Sequence, residues 1–198
     1  NLVSDDLNGY RDIFVHDRWS GQTSLVSVNS EGDQANQDSY DPAISNDGRY
    51  VVFRSAANNL VADDSNNQDD LFVHDILSGQ TTRVSVSSEG QESNAGSLYL
   101  DLSADGRFIV FSSTASNLVP DDTNNNRDVF VHDILTGETS LVSATSEGIV
   151  ANAHSSHPSI SANGRFVAFH SGADTLVADD MNGSLDIFVH DRQSGETT

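Results

Sequence analysis

Residues 5–17 read DDLNGYRDIFVHD, and the pattern returns as DDSNNQDDLFVHD (63–75), DDTNNNRDVFVHD (121–133) and DDMNGSLDIFVHD (179–191). Asp6, Asp64, Asp122 and Asp180 hold one place in it, and each step is 58 residues (6 to 64, 64 to 122, 122 to 180). The rest of the unit keeps this register. SNDGRYVVFRS, SADGRFIVFSS and SANGRFVAFHS recur, as do SGQTSLVSV, SGQTTRVSV and TGETSLVSA. Self-similarity at a long fixed period marks an array of one supersecondary unit, each copy burying its neighbour's apolar face. Residues 1–198 therefore read as one repeat array of roughly three and a half units.

Within one period the spacing predicts four short strands. Strand A is DPAIS (41–45), and Asn46-Asp47-Gly48 turns it into strand B, RYVVFRS (49–55). An Asx-Gly pair between apolar runs is a hairpin signal. A long polar loop carrying the acidic motif leads to strand C, DLFVHD (70–75). A Ser78-Gly79 turn then gives strand D, TTRVSV (81–86), and a second long loop through Ser88-Glu89-Gly90 leads onward. Helical periodicity is absent. Strands B and C are apolar on both faces, whereas strand D alternates with Ser and Thr. A sheet buried on both sides in its middle and more polar at its last strand fits a β-propeller blade between two neighbours. A two-layer sandwich would alternate more cleanly on most strands.

The segments SADGRFIVFSS and NLVPDDTNNNRDVFVHDILTGETSLVS resemble the TolB-like, WD-repeat-like propeller repeats of bacterial periplasmic and secreted proteins, and the likeness extends over the whole chain. That resemblance implies an extracellular or periplasmic protein that binds or scaffolds more often than it catalyses. The expected fold is all-β, a propeller of four-stranded antiparallel blades. Propellers close with about 4–8 blades, and this chain supplies strands C and D, two full blades, then A, B, C and a truncated D. The array is expected to belong to a larger propeller, or to self-associate into a closed ring or filament. Its start at Asn1, in mid-motif and without a methionine, reads as a processed or excised piece.

Composition narrows the partners. Thirty Asp and Glu against nine Lys and Arg give a formal net charge of -21. Nucleic acid and anionic membrane surfaces need clustered basic side chains, so neither is an expected partner. Regular Val, Ile, Phe and Leu runs between the acidic segments exclude a disordered acidic chain. With no cysteine there is no disulfide, thiolate metal site or thiol nucleophile. No apolar run approaches the ~18 residues of a membrane span, so no membrane insertion is expected.

In an up-and-down blade the A–B and C–D turns lie at one end, and the B–C and D–A loops lie at the other. All the long polar loops therefore share one face, where a protein or glycan ligand is expected. Each B–C loop carries D-x-N-x-x-x-D: Asp6, Asn8 and Asp12; Asp64, Asn66 and Asp70; Asp122, Asn124 and Asp128; Asp180, Asn182 and Asp186. Oxygen ligands at alternating positions of a tight loop suit Ca²⁺, which takes roughly 6–8 oxygens from carboxylates, carbonyls and water. Residues 10, 68, 126 and 184 are Tyr, Gln, Asn and Ser, a variety that suits ligation by a backbone carbonyl. The motif is shorter than an EF-hand loop and lacks its final Glu. Asx-turns alone explain the same residues without metal; calcium is the preferred expectation because three acids crowd each loop of an already acidic chain.

The histidine of each VHD (His16, His74, His132, His190) faces a neighbouring blade on strand C and is expected to pack, not to catalyse. The Asp that follows (Asp17, Asp75, Asp133, Asp191) is expected to start the C–D turn. Positions that differ between units carry more functional information. The residue opening strand A is Asp41, then Tyr99, then His157, and the third unit adds His154 and His170. Three histidines in one unit are enough for zinc, although ordinary surface variation is the preferred reading. No nucleophile elbow, phosphate loop or Ser/His/Asp arrangement appears. The carboxylates repeat by symmetry, whereas active sites are singular, so a non-enzymatic module is expected. A carbohydrate-binding propeller is the alternative, with Tyr10 and Trp19 as its candidate aromatics, and the propeller domain of a hydrolase stands behind it.

Overall fold

The computed structural model describes residues 2–198; Asn1, with which the predicted array begins, lies outside the described residues. The fold starts as a two-stranded ribbon of β1 (Phe14–His16) and β2 (Thr23–Leu25). A four-stranded sheet follows: β3 (Ser39–Ile44), β4 (Tyr50–Ser55), β5 (Asp70–Asp75) and β6 (Gln80–Arg83). The next holds β7 (Ser97–Leu102), β8 (Phe108–Ser113), β9 (Asp128–Asp133) and β10 (Thr139–Leu141). The last holds β11 (Ser155–Ile160), β12 (Phe166–Ser171), β13 (Asp186–Asp191) and β14 (Glu196–Thr197). Neighbours in sequence are antiparallel neighbours in each sheet. Among the described residues there is no helix, and so none that could cross a membrane. These are propeller blades, and the first and last sheets do not pair to close a ring.

Two predicted strands shift. Strand A begins at Ser39, before the expected 41, and holds a bulge between Tyr40 and Ala43 in which Asp41 takes φ 51°. Strand D stops at Arg83 instead of reaching 86. The reason is that Val86 leaves strand C and bridges Glu92 within the D–A loop, as Val28 bridges Gln34 and Ala144 bridges Val150. The chain must turn there to reach the next blade.

Apolar clusters lie between blades. Val52, Leu71 and Val73 of one sheet meet Ile109, Phe111 and Phe130 of the next. Val110, Val129 and Val131 in turn meet Val167, Phe169 and Phe188. Burial of both faces of the B and C strands is the pattern their continuous apolar runs require. The far face of the last sheet has no such cover, and Ile187 is 71% exposed where its counterpart Val129 is 0%.

Polar side chains fix blade to blade. Thr81 Oγ1 donates to Val28 O at 2.5 Å, Thr139 Oγ1 to Val86 O at 2.5 Å, and Thr197 Oγ1 to Ala144 O at 2.6 Å. The same hydroxyls lie 2.8, 2.9 and 3.0 Å from His74, His132 and His190 Nδ1. Because each threonine proton goes to a carbonyl, each imidazole donates from Nδ1. Burial pushes the pKa of His74 and His132 down, which keeps them neutral. His74 and His132 are buried packing residues, as their strand position predicted, whereas His190 is half-buried and His16, on the uncovered first ribbon, is exposed.

The Asp that follows starts the C–D turn: Asp75 Oδ1 accepts the Leu77 N–H and Asp133 Oδ1 the Leu135 N–H. It also takes a two-pronged bond from the arginine of the A–B turn, Arg49 to Asp75, Arg107 to Asp133 and Arg165 to Asp191. These guanidinium bonds hold the three carboxyls below the ordinary range, Asp133 at about 2. The pairing ties the two tight turns of one blade together.

Candidate functional site

The four B–C loops share one construction. Asn66 Oδ1 accepts the Gln68 N–H at 2.6 Å, closing an Asx-turn, and its Nδ2 donates to Asp70 Oδ2 and Ser93 O. Asn124 repeats this with Asn126, Asp128 and Ala151. Asn182 does so with Ser184 and Asp186. Asn8 accepts from Tyr10 N–H and donates to Ala35 O. The next residue is left-handed in every loop: Gly9, Asn67, Asn125 and Gly183 have φ between 54° and 76°. Gly and Asn are the residues that adopt this conformation at least cost. The asparagine side chains thus hold the turns.

In the first three motifs the second acid leads into strand C and meets a serine two residues beyond strand D. Ser27 Oγ donates to Asp12 at 2.6 Å, Ser85 to Asp70 at 2.5 Å and Ser143 to Asp128 at 2.7 Å. Each serine also accepts the N–H of the residue after the acid. Sequence reasoning missed these serines, although their fixed 15-residue offset from the acid was visible in the first three repeats. Asp70 and Asp128 are buried outright, Asp6 and Asp122 nearly so, and Asp12, Asp64, Asp180 and Asp186 partly.

Loops two and three differ in how this charge is met. Asp64, Asp70 and Glu92 bring one oxygen each within 4.8 Å of one another. Arg83, 8% exposed, reaches into this cluster, with Nη1 2.5 Å from Glu92 and 3.9 Å from both Asp64 and Asp70. Burial, then the Asp70 charge, pushes Asp64 up to about 6 despite Arg83. In the first and third units, Leu25 and Leu141 stand at the position of Arg83, and Gln34 and Val150 at that of Glu92. Among the described residues no ion pair reaches Asp122 or Asp128. Burial, with Asp122's charge adding, pushes Asp128 up to about 6.

The variable strand-A positions form a second locus. Asp41, Tyr99 and His157 have φ of 51°, 52° and 50°, each in a bulge of β3, β7 or β11. Backbone strain in a non-glycine residue marks a position where side-chain placement matters. Arg54 pairs with Asp41 at 3.1 Å and with Asp69 at 2.9 Å. Tyr99 stacks on His157, the ring centroids 3.8 Å apart. Of the third unit's three histidines, His157 and His170 come together. His154 is held apart from them by its own bond, Nδ1 accepting the Arg127 N–H at 2.8 Å.

These features define a β-propeller array with acidic loops on one face. No protein-family profile matches the chain, and no curated protein matches its sequence. Solved structures do match in fold. A putative TolB from Agrobacterium tumefaciens is 20% identical with a TM-score of 0.56, covering 100% of this chain and 58% of that one. TolB from Acinetobacter baumannii is 13% identical with a TM-score of 0.53, covering 94% and 36%. The tricorn protease is 13% identical with a TM-score of 0.56, covering 93% and 16%. The chain thus has the TolB-like propeller fold that its repeats resemble, and it spans 58% or less of the length of these three neighbours. Both TolB proteins and an enzyme share this fold, and at such identities the likeness speaks for the fold alone.

Proposed function

We propose that this chain is a non-enzymatic binding or scaffold module of the bacterial periplasm or cell exterior, with calcium bound in its acidic loops. The carrying observation is the contrast between loops two and three. Loop two meets its buried acids with the guanidinium of Arg83, whereas loop three buries Asp122 and Asp128 with leucine and valine in the corresponding places. A hard cation drawn from solution supplies the charge that the third loop's own side chains do not. Ca²⁺ would take carboxylate oxygens from Asp122 and Asp128, and by the same register from Asp6 and Asp12 and from Asp180 and Asp186, with backbone carbonyls and water completing the shell. The asparagines order the turns, and Arg83 stands in for the ion at Asp64 and Asp70.

The periplasmic or extracellular setting rests on the resemblance to TolB-like repeats. The non-enzymatic reading rests on the repetition of the D-x-N-x-x-x-D carboxylates in all four loops. The glycan alternative has less support, because exposed Tyr10 lies in a long loop and Trp19 in a tight turn, at opposite ends of the first ribbon. The uncovered face of the last sheet supports contact with another blade, from a longer chain or a second copy.

Chelation tests the calcium reading. EDTA is expected to lower the melting temperature and Ca²⁺ to restore it, with a smaller response in Asp128→Asn. Identical melting curves with and without Ca²⁺ would overturn it. A glycan array and a sedimentation measurement test the partner classes.

A further inference from the structure

A serine hydroxyl and two imidazole nitrogens converge between β11 and β12 of the third blade, apart from the acidic loops. Ser156 Oγ is 2.7 Å from His170 Nε2, His170 Nε2 is 2.8 Å from His157 Nδ1, and His157 Nδ1 is 3.3 Å from Ser156 Oγ. Tetrahedral ligands, each about 2.1 Å from an ion, lie about 3.4 Å apart. The His157–Ser156 edge is close to that length, and the two shorter edges are hydrogen bonds that open by about 0.6 Å when an ion takes their place.

We propose that Ser156, His157 and His170 form a binding site for a borderline divalent transition metal of the Zn²⁺ type. Neutral imidazole nitrogens with a hydroxyl select such ions over Ca²⁺, which prefers a full oxygen shell. The site is singular. At these three positions the second unit has Leu98, Tyr99 and Ser112, and the first has Tyr40, Asp41 and Arg54. All three positions vary from unit to unit, and only in the third do they bring two imidazoles together; in the first, Arg54 meets Asp41 and the Tyr40 ring instead.

The scaffold fixes the donors. The bulge between Ser156 and Ser159 holds His157 at φ 50°, so its imidazole is placed by strained backbone. The Tyr99 ring stacked on it sets the plane of the imidazole. His170 sits mid-ladder on β12, opposite Ile187 of β13. Three protein ligands leave coordination positions for water or for an anionic group of a bound molecule. This site does not depend on the calcium reading, because it shares no residue with the acidic loops.

Zinc titration calorimetry in excess Ca²⁺, which keeps oxygen sites filled, tests the proposal. The wild-type chain is expected to bind one Zn²⁺, with affinity at least ~10-fold weaker in both His157→Asn and His170→Ser. Asn tolerates the left-handed backbone, and Ser is what the second unit carries at the position of His170, so both variants should keep the wild-type circular dichroism. His154→Ala should bind as wild type does. Copper(II) electron paramagnetic resonance should show two imidazole nitrogens in the wild type and one in each variant. Absence of saturable zinc binding, or affinity unchanged in both variants, would overturn the site.

Discussion

Arg83 donates from Nη1 to Glu92 Oε1 at 2.5 Å, bringing a strand-D side chain into the acidic loop of its own blade. Nη2 meanwhile donates to Asp63 O at 3.0 Å. One guanidinium therefore serves two carboxylates of the repeated motif, a third from the D–A loop, and the loop backbone.

Replacing Arg83 by leucine, the residue of the first and third units, strips the second loop of its cation. Removing one partner of a buried ion pair costs about 3–5 kcal/mol. The variant should melt well below wild type in EDTA and recover more than wild type does when Ca²⁺ is added. Melting curves of the two proteins with and without the ion measure both halves of this statement.

Asp128 sets a pH dependence whose sign is opposite to that of most native carboxylates. Its folded pKa of about 6 lies above the unfolded value near 3.9, so its contribution is most favourable at low pH and is lost as pH rises through 6. Two pKa units correspond to roughly 3 kcal/mol. In EDTA the chain should become more stable as pH falls from 7 to about 5, and Asp128→Asn should flatten part of that slope. Below that range the arginine-paired Asp75, Asp133 and Asp191, all held low, reverse the trend as they protonate. Denaturant titrations across this pH range read the slope.

Gly48 and Gly106 occupy the same turn position with φ of +75° and +74°, yet their surroundings differ. A Cβ on Gly48 meets open space, whereas one on Gly106 would meet the Tyr50 ring of the preceding blade. Gly48→Ala should cost about 1 kcal/mol for the backbone alone. Gly106→Ala should cost about 1–3 kcal/mol more, because the aromatic ring must move. The difference between the two melting shifts isolates the packing of one blade on the next.

Thr139→Val removes a donor to Val86 O and an acceptor for His132 in one buried place. About 2–3 kcal/mol should be lost. The equivalent Thr23→Val leaves an exposed His16 and should cost under about 1 kcal/mol. Equal losses would show that the cross-blade bond contributes nothing.

The strands were legible because their signals are local. DLFVHD at 70–75 and the Asn46-Asp47-Gly48 turn appear where periodicity and turn chemistry put them. The end of strand D was not legible, since TTRVSV alternates to residue 86 and only the step to the next blade draws Val86 onto Glu92. Of the candidate site, the acids and the Asx-turns could be read from spacing, and the serines recur at a fixed offset that spacing alone does not tie to the acids, whereas Arg83 among them left no repeated signal.

The sequence by itself determined the repeat, the blade and the face on which the long loops gather, because a 58-residue period and two-sided apolar strands allow few other architectures. Tertiary structure alone decided which side chains meet. Arg83 reaches Glu92 across a loop, and His157 meets His170 while His154 turns to Arg127. Each meeting depends on bulges and cross-blade packing, whose geometry is set by the sum of many weak contacts and not by any local pattern of residues.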